Sequence, residues 1–343
     1  MPVIASPVSS VASPALWAAT IGGVLSFFAV DFVLTRRPHT VRFREALVWT
    51  AFYLALPVAF GVFAWWRFGS GTAVPYFTGY LLEKSLSVDN LFVFMLLIAA
   101  FAVPAELTQR VLLYGIAGAL VLRGVFIVIG AAAVQAVDWT FVIFGAILLF
   151  TAAKIMKDTI SGADHEVDVA SLRSVRLVRR LMPVTDGYQG PRLLARLGGR
   201  RALTPFALVV VAVFATDLVF AVDSIPAVYG VTQDPYLVFT ANAFSLFGLR
   251  ALYFVLQNTL SRLVHLGYGL AVILAFIGVK LILHWAHGHW HRAPEIPTLL
   301  SLAVIVVTLL TVTMTSLYAG RRSQATQEGV EVGRPARPSG PAV

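Results

Sequence analysis

Apolar blocks of about twenty residues recur along the chain, divided by short polar segments, and each is close to the helix length that crosses a bilayer. Nine spans are predicted, at 14–34, 46–66, 75–101, 110–134, 139–157, 205–229, 236–258, 264–285 and 298–319. The blocks lack the two-residue alternation of barrel strands. Backbone in lipid must also satisfy its own hydrogen bonds, so the spans read as α-helices. The predicted fold class is all-α, a polytopic membrane bundle.

Polar segments divide this bundle. A two-helix segment (1–74) leads into a three-helix unit (75–157), a basic loop (158–204), a second three-helix unit (205–285), a C-terminal helix (286–320) and a tail (321–343). The tail is rich in Gly, Pro, Ser and charge, a composition that predicts disorder. In the basic loop Leu172, Val175, Leu177, Val178 and Leu181 alternate with Arg173, Arg176, Arg179 and Arg180, the pattern of an amphipathic helix docking on anionic lipid.

Composition sharpens the assignment. Hydrophobic residues fill 58% of 343 positions and charged residues 13%, about half the charge of a soluble chain. The net charge of +9 is confined to particular loops, so it points to orientation and not to nucleic acid. Arg36, Arg37, Arg42 and Arg44 follow the first span, and ten Lys/Arg lie between Lys154 and Arg201. Arg262 follows the seventh span, and Arg321 and Arg322 follow the ninth. The loops near Gly69, Asp138 and Asp234 carry little positive charge, so the N-terminus is expected outside and the C-terminus inside. No basic residue precedes the first apolar block, which argues against a cleaved leader. The chain has no cysteine, which excludes thiolate ligands and thiol redox chemistry.

The chemistry sits in a repeat. Glu83-Lys-Ser-Leu-Ser-Val-Asp89-Asn-Leu-Phe in the third span corresponds to Asp217-Leu-Val-Phe-Ala-Val-Asp223-Ser-Ile-Pro in the sixth. In the spans that follow, Val121-Leu-Arg123-Gly-Val-Phe matches Gly248-Leu-Arg250-Ala-Leu-Tyr. Ala146-Ile-Leu-Leu-Phe before Lys154 matches Val272-Ile-Leu-Ala-Phe before Lys280. Three helices are an odd number, so the second unit would cross in the opposite sense. Such an inverted repeat commonly places a substrate site at the midplane.

A charge at the centre of a spanning helix costs roughly 2.5–3.5 kcal/mol, so four carboxylates cost about 10 kcal/mol before pairing or water offsets it. Residues held at that cost mark ion pathways. On a regular helix Glu83, Ser87 and Asn90 share a face, as do Asp217 and Ser224. Asp89 and Asp223 lie six positions from the first acids, about 120° around, so one straight helix cannot aim both of its acids at one ion. Two crossing helices can, and Pro226 is a candidate helix break that frees the Val222 carbonyl beside Asp223. Asn242 offers a further oxygen. The predicted metal set is therefore Glu83, Asp89, Asn90, Asp217, Asp223 and Asn242, with Asp89 and Asp223 as leading members. Oxygen donors without thiolate favour Mn²⁺, Mg²⁺ or Ca²⁺. The rival reading pairs the acids with Arg123, Arg250, Lys154 and Lys280 purely to lock the bundle. Asp31 reads as an interfacial residue of the first span. His284, His287, His289 and His291 read as a titrating outer loop, with external metal capture as the alternative.

These segments resemble the TerC/Alx family. The resemblance rests on Glu83-Lys-Ser-Leu-Ser-Val-Asp-Asn-Leu-Phe, on Phe214-Ala-Thr-Asp-Leu-Val-Phe-Ala-Val-Asp-Ser-Ile-Pro-Ala and on Phe247-Gly-Leu-Arg-Ala-Leu-Tyr-Phe. It spans roughly 14–319 and implies a LysE-like inverted-repeat fold in the bacterial inner membrane. It also implies manganese export for Alx-like members and an association with tellurium resistance for others. The family's acidic positions match Glu83, Asp89, Asp217 and Asp223. The functional expectation is a divalent metal ion transporter, most simply a manganese exporter using alternating access and proton coupling. The alternative is a non-transporting membrane component of a tellurium or metal-stress resistance complex, in which partner proteins would bind the chain. A homo-oligomer fits either. No permanently bound cofactor is expected, and neither HExxH nor GxSxG occurs to suggest an enzyme.

Overall fold

The computed structural model describes residues 10–34, 43–161, 173–185, 187–197, 200–256, 265–290 and 293–332. Arg36, Arg37, Arg42, Leu172, Arg262 and His291 lie outside them. The helices are α1 (Pro14–Leu34), α2 (Phe43–Phe68), α3 (Ser70–Ala100), α4 (Ala105–Ala136) and α5 (Thr140–Ile160). Next come α6 (Arg173–Leu181) and the strands β1 (Leu194–Leu197) and β2 (Arg200–Leu203). The second half holds α7 (Pro205–Tyr229), α8 (Pro235–Leu246), α9 (Leu249–Leu256), α10 (Leu266–His289) and α11 (Thr298–Val332).

Eight segments among the described residues are long and apolar enough to cross a membrane, α8 and α9 together forming one of them. The third predicted span, α3, is not among the eight. It is 31 residues long but carries Glu83, Lys84 and Asp89 around its middle. The outward faces of the helices fit lipid. Val121, Val128, Phe150, Trp66 and Met314 are all at least 69% exposed, a surface that water would not tolerate over so wide a band.

Local chemistry sets the helix starts. Thr204 caps α7 by accepting from the Ala207 N–H at 3.2 Å, with Pro205 in the first helical position. Asp234 caps α8 in the same way, accepting from the Tyr236 N–H at 2.9 Å ahead of Pro235. Packing then pairs the two halves crosswise: α3 lies on α8 and on α7, α4 lies on α7, and α5 lies on α10. The α5–α10 contact is close because it is lined by glycine. A Cβ on Gly145 would stand 2.8 Å from the Gly278 carbonyl oxygen, and one on Gly278 would stand 3.0 Å from that of Gly145.

Four expectations need correction. The seventh span is not one helix: Phe247 is extended and Gly248 takes φ +76°, which divides 236–258 into α8 and α9. Gly248 is required there, since a Cβ would lie 2.5 Å from the Tyr53 Cβ. Pro226 does not break α7, which runs on to Tyr229 and closes with the Gly230 N–H donating to the Pro226 carbonyl. A proline near a helix end leaves few later bonds to lose. The last helix does not stop near 319 but continues to Val332, so only 333–343 of the predicted tail fall outside the described residues. Finally, the basic loop holds more than the expected α6. The β1–β2 hairpin pairs Leu194 with Leu203, and Val175 and Tyr188 seat this segment against α3, α4 and α7. The Tyr188 hydroxyl donates to the Phe101 carbonyl at 2.8 Å.

Candidate functional site

The crosswise packing of α3, α4, α7 and α8 brings side chains from all four helices to a single point inside the bundle. Its centre is Arg123 of α4, 1% exposed, facing Glu83 of α3 at 0% and Asp217 of α7 at 2%. The Arg123 Nη1 donates to Glu83 Oε2 at 2.6 Å and to Asn242 Oδ1 of α8 at 3.2 Å. Its Nη2 donates to Asp217 Oδ1 at 3.4 Å. Asn242 closes the ring by donating from Nδ2 to Glu83 Oε1 at 2.8 Å. With its carboxamide turned to satisfy both ends, Asn90 accepts from Arg123 Nη2 at 3.2 Å and donates to the Leu86 carbonyl at 3.0 Å. Ser224 lies beside Glu83 on the remaining side.

Two carboxylates against one guanidinium leave the group formally one negative charge in excess. Buried charge of this kind is tolerated only when hydrogen-bonded and compensated. Compensation is incomplete among the described residues: Asp217 Oδ2 and Arg123 Nε are buried without a hydrogen-bond partner. The arrangement can therefore hold one further positive charge. Every acceptor facing the guanidinium is a carboxylate or carboxamide oxygen, the donor type that hard cations take.

Among the predicted metal residues, Glu83, Asn90, Asp217 and Asn242 come together. Asp223 does not join them. It projects from another face of α7, half-buried, and accepts from the Thr151 hydroxyl of α5 at 2.8 Å. The reason is helical geometry: Asp223 lies six positions after Asp217, about 120° around the helix, so α7 presents them to α4 and α5 respectively. Asp89 lies on α3, and its side chain is outside the described residues. Among the described side chains the cluster centres on Glu83 and Asp217 and Asp223 stands apart from it, while the expected part of Asp89 lies outside the described residues.

Of the expected charge partners, only Arg123 pairs with the acids of the repeat among the described side chains. Arg250 turns the other way and pairs with Asp31 of α1 at 2.7 Å. The Tyr53 hydroxyl of α2 donates to the same Asp31 oxygen at 2.6 Å. Lys280 donates to Ser301 of α11 at 2.9 Å, and Lys154 is exposed on α5, within electrostatic range of Asp223 but not in an ion pair with it. The Asp31–Arg250 pair fastens α1 to α9, so a double-mutant cycle of Asp31→Asn and Arg250→Gln is expected to show about 1–3 kcal/mol of coupling in unfolding free energy. Strictly additive effects would contradict that role.

Lys84 went unnoticed in the sequence. Its ammonium donates to the carbonyls of Ser245 at 3.2 Å and Phe247 at 3.4 Å. These belong to the end of α8, where the break at Gly248 removes the usual donors, and a cation suits the negative end of a helix. The one available signal was a lysine in mid-span beside an acid, with nothing in the repeat to mirror it.

The histidines lie at the far end of α10. His284 contacts Gln233 at 2.9 Å and Glu295 at 3.7 Å, lining a cavity of about 320 Å³ with Lys280, Tyr229 and Thr298. His287 and His289 bond through Nδ1 to the carbonyls of Ala293 and Trp285. No group of three or more metal-binding His, Asp or Glu forms among the described residues, here or at Arg123.

Known proteins resemble this chain over most of its length. The family described as "Integral membrane protein TerC family" matches residues 68–324. A membrane protein of Mycobacterium tuberculosis is 42% identical over 321 residues, covering 90% of this chain and 81% of its own length. A membrane protein of Myxococcus xanthus is 40% identical over 273 residues, covering 79% and 84%. The Escherichia coli protein named "Putative membrane-bound redox modulator Alx" is 39% identical over 285 residues, covering 80% and 88%. No solved structure matches.

Proposed function

The chain belongs to the TerC family of integral membrane proteins, and from that premise we propose that it carries a divalent metal ion across the membrane, with Mn²⁺ as the first candidate and export as the direction. One observation carries the reading. Two carboxylates and two carboxamides, drawn from helices of both three-helix units, meet in the interior of a membrane bundle around the single guanidinium of Arg123. Hard oxygen donors of this kind suit Mn²⁺, Mg²⁺ and Ca²⁺. The proposal assigns Glu83, Asp217, Asn242 and Asn90 as ligands. It leaves Asp223, with Thr151 beside it, as a station on the pathway.

The crosswise packing supports an alternating-access mechanism. In the proposed inverted repeat, of the LysE-like type, α3–α5 and α7–α10 are equivalent units. The contacts of α3 with α8 and of α4 with α7 are then the same contact made twice. Rocking of one unit on the other would open the cluster to each side in turn, and the glycine-lined α5–α10 contact gives a close surface on which to pivot. The distribution of basic residues supports an N-terminus outside the inner membrane and a C-terminus inside. Expelling M²⁺ against an inside-negative potential costs about 4.6 kcal/mol per 100 mV, so export requires a coupling ion. A proton is the simplest, because the excess negative charge beside Arg123 is a place to hold one.

The Alx relative's name points to redox modulation, but this chain has no thiol to exchange electrons, so the proposal places any redox effect downstream of the metal. The test is flux in proteoliposomes loaded with a Mn²⁺-responsive dye, under an imposed pH gradient. Uptake above empty vesicles, abolished by collapsing the gradient, is the expected result. Absence of flux for Mn²⁺, Mg²⁺ and Ca²⁺ alike would overturn the reading.

A further inference from the structure

The Arg123 cluster differs from an ordinary buried ion pair in who supplies what. The guanidinium is the sole group that α4 contributes. Every acceptor turned toward it, Glu83 Oε2, Asp217 Oδ1, Asn242 Oδ1 and Asn90 Oδ1, comes from α3, α7 or α8. Removing the arginine side chain in thought leaves an enclosure of oxygen atoms, two of them formally charged, with no other positive group in contact among the described residues. That is what a hard divalent cation needs, at oxygen distances of roughly 2.0–2.6 Å.

The guanidinium also fits this enclosure imperfectly. Arginine favours carboxylates that take two parallel N–H bonds. Here Glu83 receives a short bond to one of its oxygens, Asp217 receives a long one at 3.4 Å, and Asp217 Oδ2 and Arg123 Nε remain buried without partners. An enclosure shaped for this arginine would have used them. One donor of the fork and one carboxylate oxygen are left over, so donors and acceptors do not match.

We infer that Arg123 is a tethered stand-in for the substrate: its guanidinium and the transported metal ion take the same oxygens by turns. The inference rests on the transport reading above and adds to it the state of the empty carrier. Two bare carboxylates facing each other in a low-dielectric bundle would repel, and a carrier that must return empty needs something between them. Arg123 fills that place when metal is absent and must withdraw along α4 when metal enters.

The experiment compares full-length wild type with Arg123→Gln in detergent, following thermal stability and Mn²⁺ affinity. Mn²⁺ is expected to raise the Tm of Arg123→Gln by more than that of wild type, with an apparent Kd at least about tenfold tighter, since no resident cation has to be displaced. Adding Glu83→Gln to Arg123→Gln should remove the gain, which places the metal in this cluster. If Arg123→Gln folds only with Mn²⁺ present throughout purification, the metal has replaced the guanidinium and the inference stands. Weaker Mn²⁺ binding by Arg123→Gln than by wild type, an equal gain in the double variant, or failure to fold even with Mn²⁺ would overturn it. Wild-type flux in proteoliposomes, measured alongside, separates the two ideas. If wild type transports and Arg123→Gln shows no gain, only the stand-in role fails; if wild type carries no divalent ion, the transport reading itself fails.

Discussion

Glu83→Gln is expected to reduce divalent-cation flux at least about a hundredfold while leaving the protein folded. The substitution keeps the side chain's shape but removes one of the two charges available to a metal, and a hundredfold corresponds to about 2.7 kcal/mol. Near a protein surface, two unit charges about 4 Å apart interact by roughly 4 kcal/mol, so losing an anion beside a divalent ion readily supplies that amount. Folding should survive because Arg123 keeps Asp217, and the cluster goes from an excess of one negative charge to balance. The amide oxygen of the substituted side chain can still accept from Arg123, and the cost is one hydrogen bond of the ring, because reversing Asn242 to meet the new NH₂ gives up its bond from Arg123 Nη1. Flux measured in proteoliposomes beside the Tm of the same preparation checks both halves. Full flux by Glu83→Gln would remove this carboxylate from the mechanism.

The second large effect is on stability. Gly248→Ala is expected to destabilise the protein by about 2–5 kcal/mol. A left-handed backbone costs an L-residue about 1–2 kcal/mol, and overpacking typically adds about 1–3 kcal/mol. Both apply, since φ is +76° and the new Cβ would meet the Tyr53 Cβ at 2.5 Å. The damage would spread through named contacts. Tyr53 bonds Asp31, Asp31 holds Arg250 just beyond the break, and Lys84 caps the carbonyls of Ser245 and Phe247 just before it. Gly124→Ala is the control, because nothing lies within 4 Å of its added Cβ, and its stability should change by less than about 1 kcal/mol. Equal behaviour of the two variants in denaturant unfolding would contradict the broken helix.

What could be read from the sequence follows from what lipid selects. Lipid requires apolar runs of a fixed length, and so most of the helices were visible to within about five residues, the divided seventh span and the polar extension of the last helix to Val332 excepted. Even α3, interrupted by charge, was visible through its flanking blocks. The break at Gly248 was hidden for the same reason: 236–258 is apolar throughout, and a glycine in a spanning helix is ordinary. Only the close approach of Tyr53 from α2, a residue far away along the chain, makes that glycine a turning point. The periodicity argument placed Asp217 and Asp223 on different faces of a straight helix, but it could not say which acid faced inward. That depended on α4 lying against α7, with Arg123 meeting Asp217 and Thr151 left to meet Asp223. The symmetry of the repeat pointed Arg123 and Arg250 to equivalent partners. The structure breaks that symmetry because α1 and α2 flank only one of them, and Asp31 draws Arg250 outward. The hairpin of 194–203 had no signal in a segment read for its arginines alone.

Anomalous diffraction from crystals grown with Mn²⁺ tests the central idea at its root. The account predicts a manganese peak within coordinating distance of both the Glu83 and Asp217 carboxylates, with the Arg123 guanidinium moved away from them. A peak confined to the cavity beside His284 and Glu295, with Arg123 still clasped between its two acids, would contradict it.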